Sequence, residues 1–270
     1  MSSIADAGGL EPPSHHYVLG MRLDYLPVER FVGEFASLAE DGRSVYCCVP
    51  DVYQCTICHD EESHRKIVNE ADYVFSDSTV LQTIRGIRYG VPPVKPLLGS
   101  DLMLELCREA AGRGIPVALV GGRSDEVLEQ IKRALLEQMP RLKIAYGYSP
   151  PFRALTEDEE NAMIAGLTRS GAKLVFVGIG CPKQERWMGT YKDKLNAALI
   201  GVGAAFDTIG GLVPSSPPYV HRLGLEWLFR LCREPRRLYK RYLGAAPRFL
   251  WLMFCDWLAS AFQRPRAGTP

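Results

Sequence analysis

The sequence predicts an α/β fold: a mostly parallel, Rossmann-like sheet with helices on both faces and a helical C-terminal appendage. Three observations carry that expectation. Short apolar runs rich in Val, Ile and Phe alternate with stretches of helical period, and there is no internal repeat. Two of the central runs stop at paired or near-paired glycines, and others end beside a Ser or Asp able to cap a helix. Beyond residue 211 the composition changes, first to arginine and then to aromatic and aliphatic residues.

The 270 residues, 47% hydrophobic and 23% charged, suit one large domain with an appendage. A net charge of +1 gives no global field, and no nucleic-acid partner is expected. Residues 1–16 are polar with Gly and Pro, which reads as a disordered tail and not as a signal peptide. The eight cysteines are therefore expected as reduced thiols. Cys55-Thr-Ile-Cys58-His59 matches a c-type haem pattern, but haem attachment needs an export signal. A zinc site from Cys47, Cys48, Cys55 and Cys58 is disfavoured because strand neighbours 47 and 48 face opposite ways. No metal site and no cofactor are expected.

Taken in order, residues 17–20 read as a strand, 28–40 as a helix and 44–49 as a second strand ended by Pro50-Asp51. A helix over about 52–70 carries cysteines. Residues 71–75 form a short strand ending at Ser76-Asp77-Ser78, where Asp77 or Ser78 caps the next helix. A helix from Ser100 or Asp101 leads to a strand at 116–120, which ends in Gly121-Gly122 before a helix capped by Ser124 or Asp125. A strand at 143–146 feeds the loop 147–153, and Thr156-Glu-Asp-Glu159 is a capping box.

The chain is organised around residues 173–189. Leu174 to Val177 is a buried strand, Gly178 and Gly180 break it, and Pro182 suits a first helical turn. A strand, a glycine turn and a helix start aim free N–H groups at an anion, and Lys183, Gln184 and Glu185 crowd that point. Residues 198–202 repeat the pattern and turn out through Gly203 to Asp207. In parallel sheets ligands bind beyond the carboxyl ends of strands, so two such ends suggest two walls of one pocket. Asp77, at another strand end and a helix start whose dipole favours its ionised form, is the candidate general base; an ordinary helix cap is the other reading.

Gly178-Ile-Gly-Cys-Pro182-Lys183-Gln184-Glu185-Arg-Trp187 resembles the signature of the WecG/TagA/CpsF glycosyltransferases, glycosyltransferase family 26. Gly201-Val-Gly203-Ala-Ala-Phe206-Asp207 and Gly224-Leu-Glu-Trp227-Leu-Phe-Arg230-Leu resemble the next two signatures, in order. The resemblance spans roughly residues 17–250 and implies metal-independent, inverting transfer from a UDP-sugar to a polyprenyl-diphosphate-linked acceptor in bacterial surface-polysaccharide synthesis. The sugar would be N-acetylmannosamine, its uronic acid, glucose or glucuronate. By residue matching, Asp77 is the base, Gln184 and Asp207 line the donor pocket, Gly121, Gly122, Gly178 and Gly203 allow close backbone approach, and Tyr148 roofs it. Lys183 and Glu185 either line the pocket or pair with each other. Three positions depart from relatives: Asp51 for Asn, Ser78 for Gly, and Ser215-Ser216-Pro217 for Arg-Ala-Pro. They bear on the sugar and acceptor.

The sequence has no Asp-x-Asp pair to hold a divalent ion, so diphosphate charge falls to backbone N–H groups and cations. Arg222, Arg230, Arg233, Arg236, Arg237 and Arg241 are candidates, provided their segment folds over the pocket. A basic helix followed by the apolar 249–262 stretch also suits an anionic membrane surface, which the resemblance favours. The alternatives are a helical hairpin packed on its own core and a homo-oligomer interface. The domains expected are the tail 1–16, a catalytic domain 17–211 and an appendage 212–270, on the cytoplasmic face of the membrane. Two rivals remain. One is a catalytically silent nucleotide-sugar-binding subunit; the other is an NAD(P) oxidoreductase, disfavoured by the missing third glycine.

Overall fold

The computed structural model describes residues 14–76, 78–92, 99–214, 216–217, 220 and 225–263. Its main body is a six-stranded, all-parallel sheet built from β3 (Val45–Cys48), β4 (Tyr73–Val74), β5 (Val117–Gly121), β6 (Ile144–Tyr148), β7 (Leu174–Gly178) and β8 (Ala198–Gly201), in the order β4-β3-β8-β7-β5-β6. The chain builds outward from β3 to β4, then from β5 to β6 at the far edge. It returns through β7 and β8 into the middle, so the order reverses among the central strands. That reversal is where an open α/β sheet leaves a crevice at its carboxyl edge.

Helices α1 (Val28–Glu40), α2 (Val52–Asp60), α3 (Glu62–Asn69), α4 (Thr79–Tyr89), α5 (Gly99–Arg113), α6 (Asp125–Gln138), α7 (Glu157–Ser170), α8 (Lys183–Tyr191) and α9 (Ala205–Ile209) connect the strands and cover them. The period-two pattern divides the core cleanly. Val117, Leu119, Leu174, Phe176, Ala198 and Ile200 pack on one face with α1 and α5. Ala118, Val120, Val175, Val177 and Leu199 pack on the other. Cys47 and Cys48 fall on opposite faces, as strand neighbours must.

Local chemistry sets the helix starts. Asp51, Ser78 and Ser124 each accept a hydrogen bond from the backbone N–H three residues on. Thr156 and Glu159 close the expected capping box. Of the expected tail, residues 1–13 lie outside the described residues, while Ser14 already begins a strand.

Two elements differ from the sequence reading. The single strand expected at 17–20 is an antiparallel hairpin, β1 (Ser14–Val18) and β2 (Met21–Tyr25), standing apart from the main sheet. Its turn is Leu19-Gly20 with φ of 49° and 82°, both left-handed, as a two-residue hairpin turn demands. Arg22 ties the hairpin down: its guanidinium holds the Asp24 carboxylate and donates to the carbonyls of Asn69, Ala71 and Asp72. Asp24 in turn accepts from the Val74 N–H of β4 at 2.8 Å. The helix expected over 52–70 is two helices, parted at Glu61, whose backbone is extended (φ −117°, ψ 102°).

The C-terminal part forms α10 (Glu226–Arg233) and the 29-residue α11 (Pro235–Gln263). Among the described residues no helix is long and apolar enough to cross a membrane. The inner side of α11 packs against α2, with Phe249 only 2% exposed and Leu252 and Met253 partly covered. Arg248 holds Asp60 at 2.5 and 2.9 Å, and Asp256 pairs with Arg88 of α4.

One contact controls the sheet's rim. A Cβ on Gly121 would stand 2.7 Å from the backbone carbon and oxygen of Gly178, and its φ of 145° is unfavourable for any side chain. Gly121→Ala is therefore expected to cost about 1–3 kcal/mol, through forced backbone displacement. Gly112→Ala, with open space around it in α5, should be neutral or gain up to about 1 kcal/mol. Urea unfolding midpoints of the two variants check both signs; equal midpoints would overturn the packing argument.

Candidate active site

The carboxyl ends of β5, β7 and β8 meet side by side. Gly121 lies opposite Gly178 in register, and Val177 opposite Gly201. Two of the glycines expected to admit a ligand's approach, Gly121 and Gly178, are packed against the protein itself, as is Gly201. A Cβ on Gly178 would meet the Phe206 ring at 2.8 Å, and one on Gly201 would meet Gln184 Nε2 at 2.8 Å. Gly122 and Gly203 are left-handed, at φ 96° and 52°, and turn the chain out of β5 and β8.

Beyond Gly122 stands Arg123, which the sequence reading did not single out. Its Nε and Nη2 donate to the two carboxylate oxygens of Asp207 at 2.9 and 2.8 Å, and Nη2 also donates to Glu234 at 2.9 Å. These bonds hold the Arg123 guanidinium firmly protonated. Asp207, expected to line the donor pocket, is thus a buried, paired carboxylate at the rim. The signal for Arg123 was present: a strand, two glycines and a cation, the same pattern that drew attention to Lys183.

The peptide bond before Pro182 is cis, and α8 begins at once with Lys183 exposed and Gln184 and Glu185 buried. Lys183 and Glu185 make no ion pair with each other among the described residues. Glu185 instead accepts from Gln184 Nε2 at 2.8 Å. Its burial pushes the carboxyl up to about 7, with Asp51 adding to the rise, while hydrogen bonds from Gln184, its own N–H and Cys181 oppose it. Gln184 keeps its Oε1 without a hydrogen-bond partner among the described residues, 3.6 Å from where a Gly203 Cβ would be. Behind Glu185 lies His64 of α3, fully buried. Desolvation, with the nearby Arg186 guanidinium, lowers its pKa and keeps the imidazole neutral. Neither the sequence spacing nor any motif marks His64.

At the β3 and β4 ends, Asp51 accepts from the Gln54 N–H at 2.9 Å as the cap of α2. Ser76 donates to the Pro50 carbonyl at 2.8 Å and accepts from the Ser78 N–H at 3.1 Å. Asp77, between them, lies outside the described residues. Ser78 is the cap of α4, accepting from the Leu81 N–H. Tyr148, expected in a roofing loop, is the half-buried last residue of edge strand β6. Arg222 also lies outside the described residues, as do the side chains of Arg237 and Arg241. Arg230 is half-buried; Arg233 and Arg236 are exposed, with Arg233 stacked 5.4 Å from the Phe229 ring centre.

Through Glu234 the Arg123 fork joins the junction of α10 and α11 to β5 and α9. Lysine at 123 keeps the charge but cannot hold both oxygens of Asp207 and reach Glu234 as well. With Arg123 40% exposed, Arg123→Lys is expected to cost only about 1 kcal/mol. Cleavage by a protease within 211–225 should rise alongside. Urea unfolding and limited proteolysis check this; unchanged cleavage would separate the fork from the docking of the segment.

The family model of the WecG/TagA/CpsF glycosyl transferases matches residues 16–263, from the hairpin to the last turn of α11. The match takes in the glycine-broken strand ends, the Lys183-Gln184-Glu185 helix start, the Arg123 and Asp207 rim and the C-terminal helices together. The chain belongs to the WecG/TagA/CpsF glycosyltransferase family.

Proposed function

We propose that the chain transfers a sugar from a UDP-sugar to a polyprenyl-diphosphate-linked acceptor, with inversion and without a divalent metal, at an anionic membrane surface. The observation that supports it most is the convergence of Gly122, Arg123, Gln184, Gly203 and Asp207 at one rim, in a glycosyltransferase of this family. The donor lies along that rim. Gln184, held by Glu185, and the turns at Gly122 and Gly203 offer polar groups to its nucleotide and sugar, and Tyr148 closes one side. Arg230, Arg233 and Arg236, with Arg222, Arg237 and Arg241, meet the diphosphate charge or lipid phosphates.

In the step itself, the Asp77 carboxylate takes the proton of the acceptor hydroxyl. The freed oxygen attacks the anomeric carbon from the side opposite the diphosphate. The new C–O bond forms as the bond to the diphosphate breaks, UDP departs with the electron pair, and the configuration inverts. Asp51 is the next carboxylate available should Asp77 not serve.

The membrane reading rests on the two sides of α11. One side is occupied by the core and by the Asp60 and Arg88 ion pairs. The other bears Leu250, Trp251, Phe254 and Trp257, all about half exposed or more, with ring centres 6.1 and 6.3 Å apart along the row. Aromatic residues on an amphipathic helix beside arginines fit the interface of an anionic bilayer. A homo-oligomer contact through the same row is the alternative.

Four measurements test the proposal. Asp77→Asn keeps size but cannot take a proton, so turnover should fall about a hundred- to ten-thousandfold while UDP-sugar affinity stays near that of the parent. Near-normal turnover would remove Asp77 from the reaction. A parent protein whose melting temperature rises with UDP-sugar but which transfers nothing would be the silent binding subunit. Turnover should also survive EDTA added just before the assay; loss restored by Mn²⁺ or Mg²⁺ would overturn the metal-free diphosphate site. Finally, Trp251→Ser with Trp257→Ser should weaken sedimentation with anionic vesicles at unchanged melting temperature. Sedimentation equal to the parent's would assign the row to another contact.

A further inference from the structure

We propose that His64, Cys181 and Glu185 form a site for one zinc ion, bridging α3 to the turn between β7 and α8. One ligand atom from each of the three lies within 4.8 Å of the other two. His64 and Glu185 are both 0% exposed. Both ring nitrogens of His64 have no hydrogen-bond partner among the described residues, which is costly for a buried imidazole. The Glu185 carboxyl beside it is hydrogen-bonded by Gln184 and Cys181. A cation in place of the Cys181 proton would pair the imidazole and keep the thiolate and carboxylate engaged.

The donor set selects the ion. One imidazole nitrogen, one thiolate and one carboxylate oxygen suit zinc, whereas magnesium and calcium require oxygen shells. Tetrahedral zinc with these ligands needs donor atoms roughly 3.3–3.8 Å apart, so a small inward shift of side chains completes the site. The second carboxylate oxygen is already fixed by Gln184 Nε2 at 2.8 Å, which orients the carboxylate from outside as metal sites require. Cys181 is only half-buried, so the ion has an entry from the turn and the fourth position can hold water. His64 and Cys181 lie on separate elements, so the ion braces α3 against the turn before α8 and the start of α8, which carries Gln184. It contacts no group assigned to the diphosphate, and its nearest link to the donor site is Gln184, which is bonded to Glu185.

The test uses the full chain with exposed Cys232 and Cys255 replaced by serine, which removes the two most accessible thiols. Zinc chloride alone is titrated against a chromophoric chelator, and cobalt chloride is used as the spectroscopic probe. One equivalent should bind, cobalt should give a thiolate charge-transfer band, and zinc should raise the melting temperature. Cys181→Ser should abolish the band, and His64→Asn should weaken zinc binding at least about tenfold. If His64→Asn does not fold, Cys181→Ser decides alone, since that position is half-open and serine is close in size. Substoichiometric uptake by the parent, or zinc binding unchanged in Cys181→Ser, would overturn the site and leave an ordered water to bridge the three groups.

Discussion

The close approach of β5 to β7 at Gly121 and Gly178, with Phe206 pressed on Gly178, is the constraint on which the rest of the rim depends. Two strand ends and an aromatic ring share space that a single methyl group would fill. Because they meet so tightly, the chain must leave β5 through Gly122 and β8 through Gly203 in left-handed turns. Those exits aim Arg123 and Asp207 at each other, and both at the crevice where the strand order reverses. The glycines of the family signatures thus have a structural use before any ligand arrives.

The same rim explains how the C-terminal helices come to belong to the catalytic body. Glu234, at the end of α10, shares the guanidinium that holds Asp207. Farther along, Phe249 enters the core cluster that contains Val18, Cys48 and Val177, and Arg248 clasps Asp60 of α2. A segment attached at one end by a charge network and at the other by apolar burial has a defined orientation. Electrostatics alone would not supply that, because exposed ion pairs contribute little and are screened by salt. The junction of α10 and α11 is thereby fixed to Arg123 at the rim through Glu234.

Much of this was legible in the sequence, for reasons that differ by element. The central strands were legible because period-two alternation under two helical layers leaves almost no choice of register, as Val117 to Val120 and Leu174 to Val177 show. The capping residues were legible because their hydrogen bonds reach only three positions along the chain. The hairpin was not, because its turn is Leu19-Gly20 and lacks the Asn or Asp that usually marks a left-handed pair. The break at Glu61 was hidden too, with no Gly or Pro beside it. At the site, Gln184, Glu185 and Asp207 were found through motifs, but Arg123 and His64 were not. Arg123 pairs with a residue 84 positions away, and His64 meets Cys181 and Glu185 only once α3 has packed on α8. Contacts of that kind depend on which helix lies on which, and no local pattern encodes it.

The apolar C-terminal helix shows where composition stops and geometry decides. Residues 249–262 read as apolar on nearly every side, so hydropathy could not separate a hairpin core from a membrane face or an oligomer contact. The fold separates the first from the other two. Phe249, with Leu252 and Met253 partly covered, is spent on the body, and Asp256, the stretch's only charge, is turned to Arg88. What is left outward is Leu250, Trp251, Phe254 and Trp257, a row with neither acid nor base in it. A helix serving only its own core would have no reason to keep two tryptophans more than 60% exposed. The row is therefore apolar surface left open to contact outside the chain.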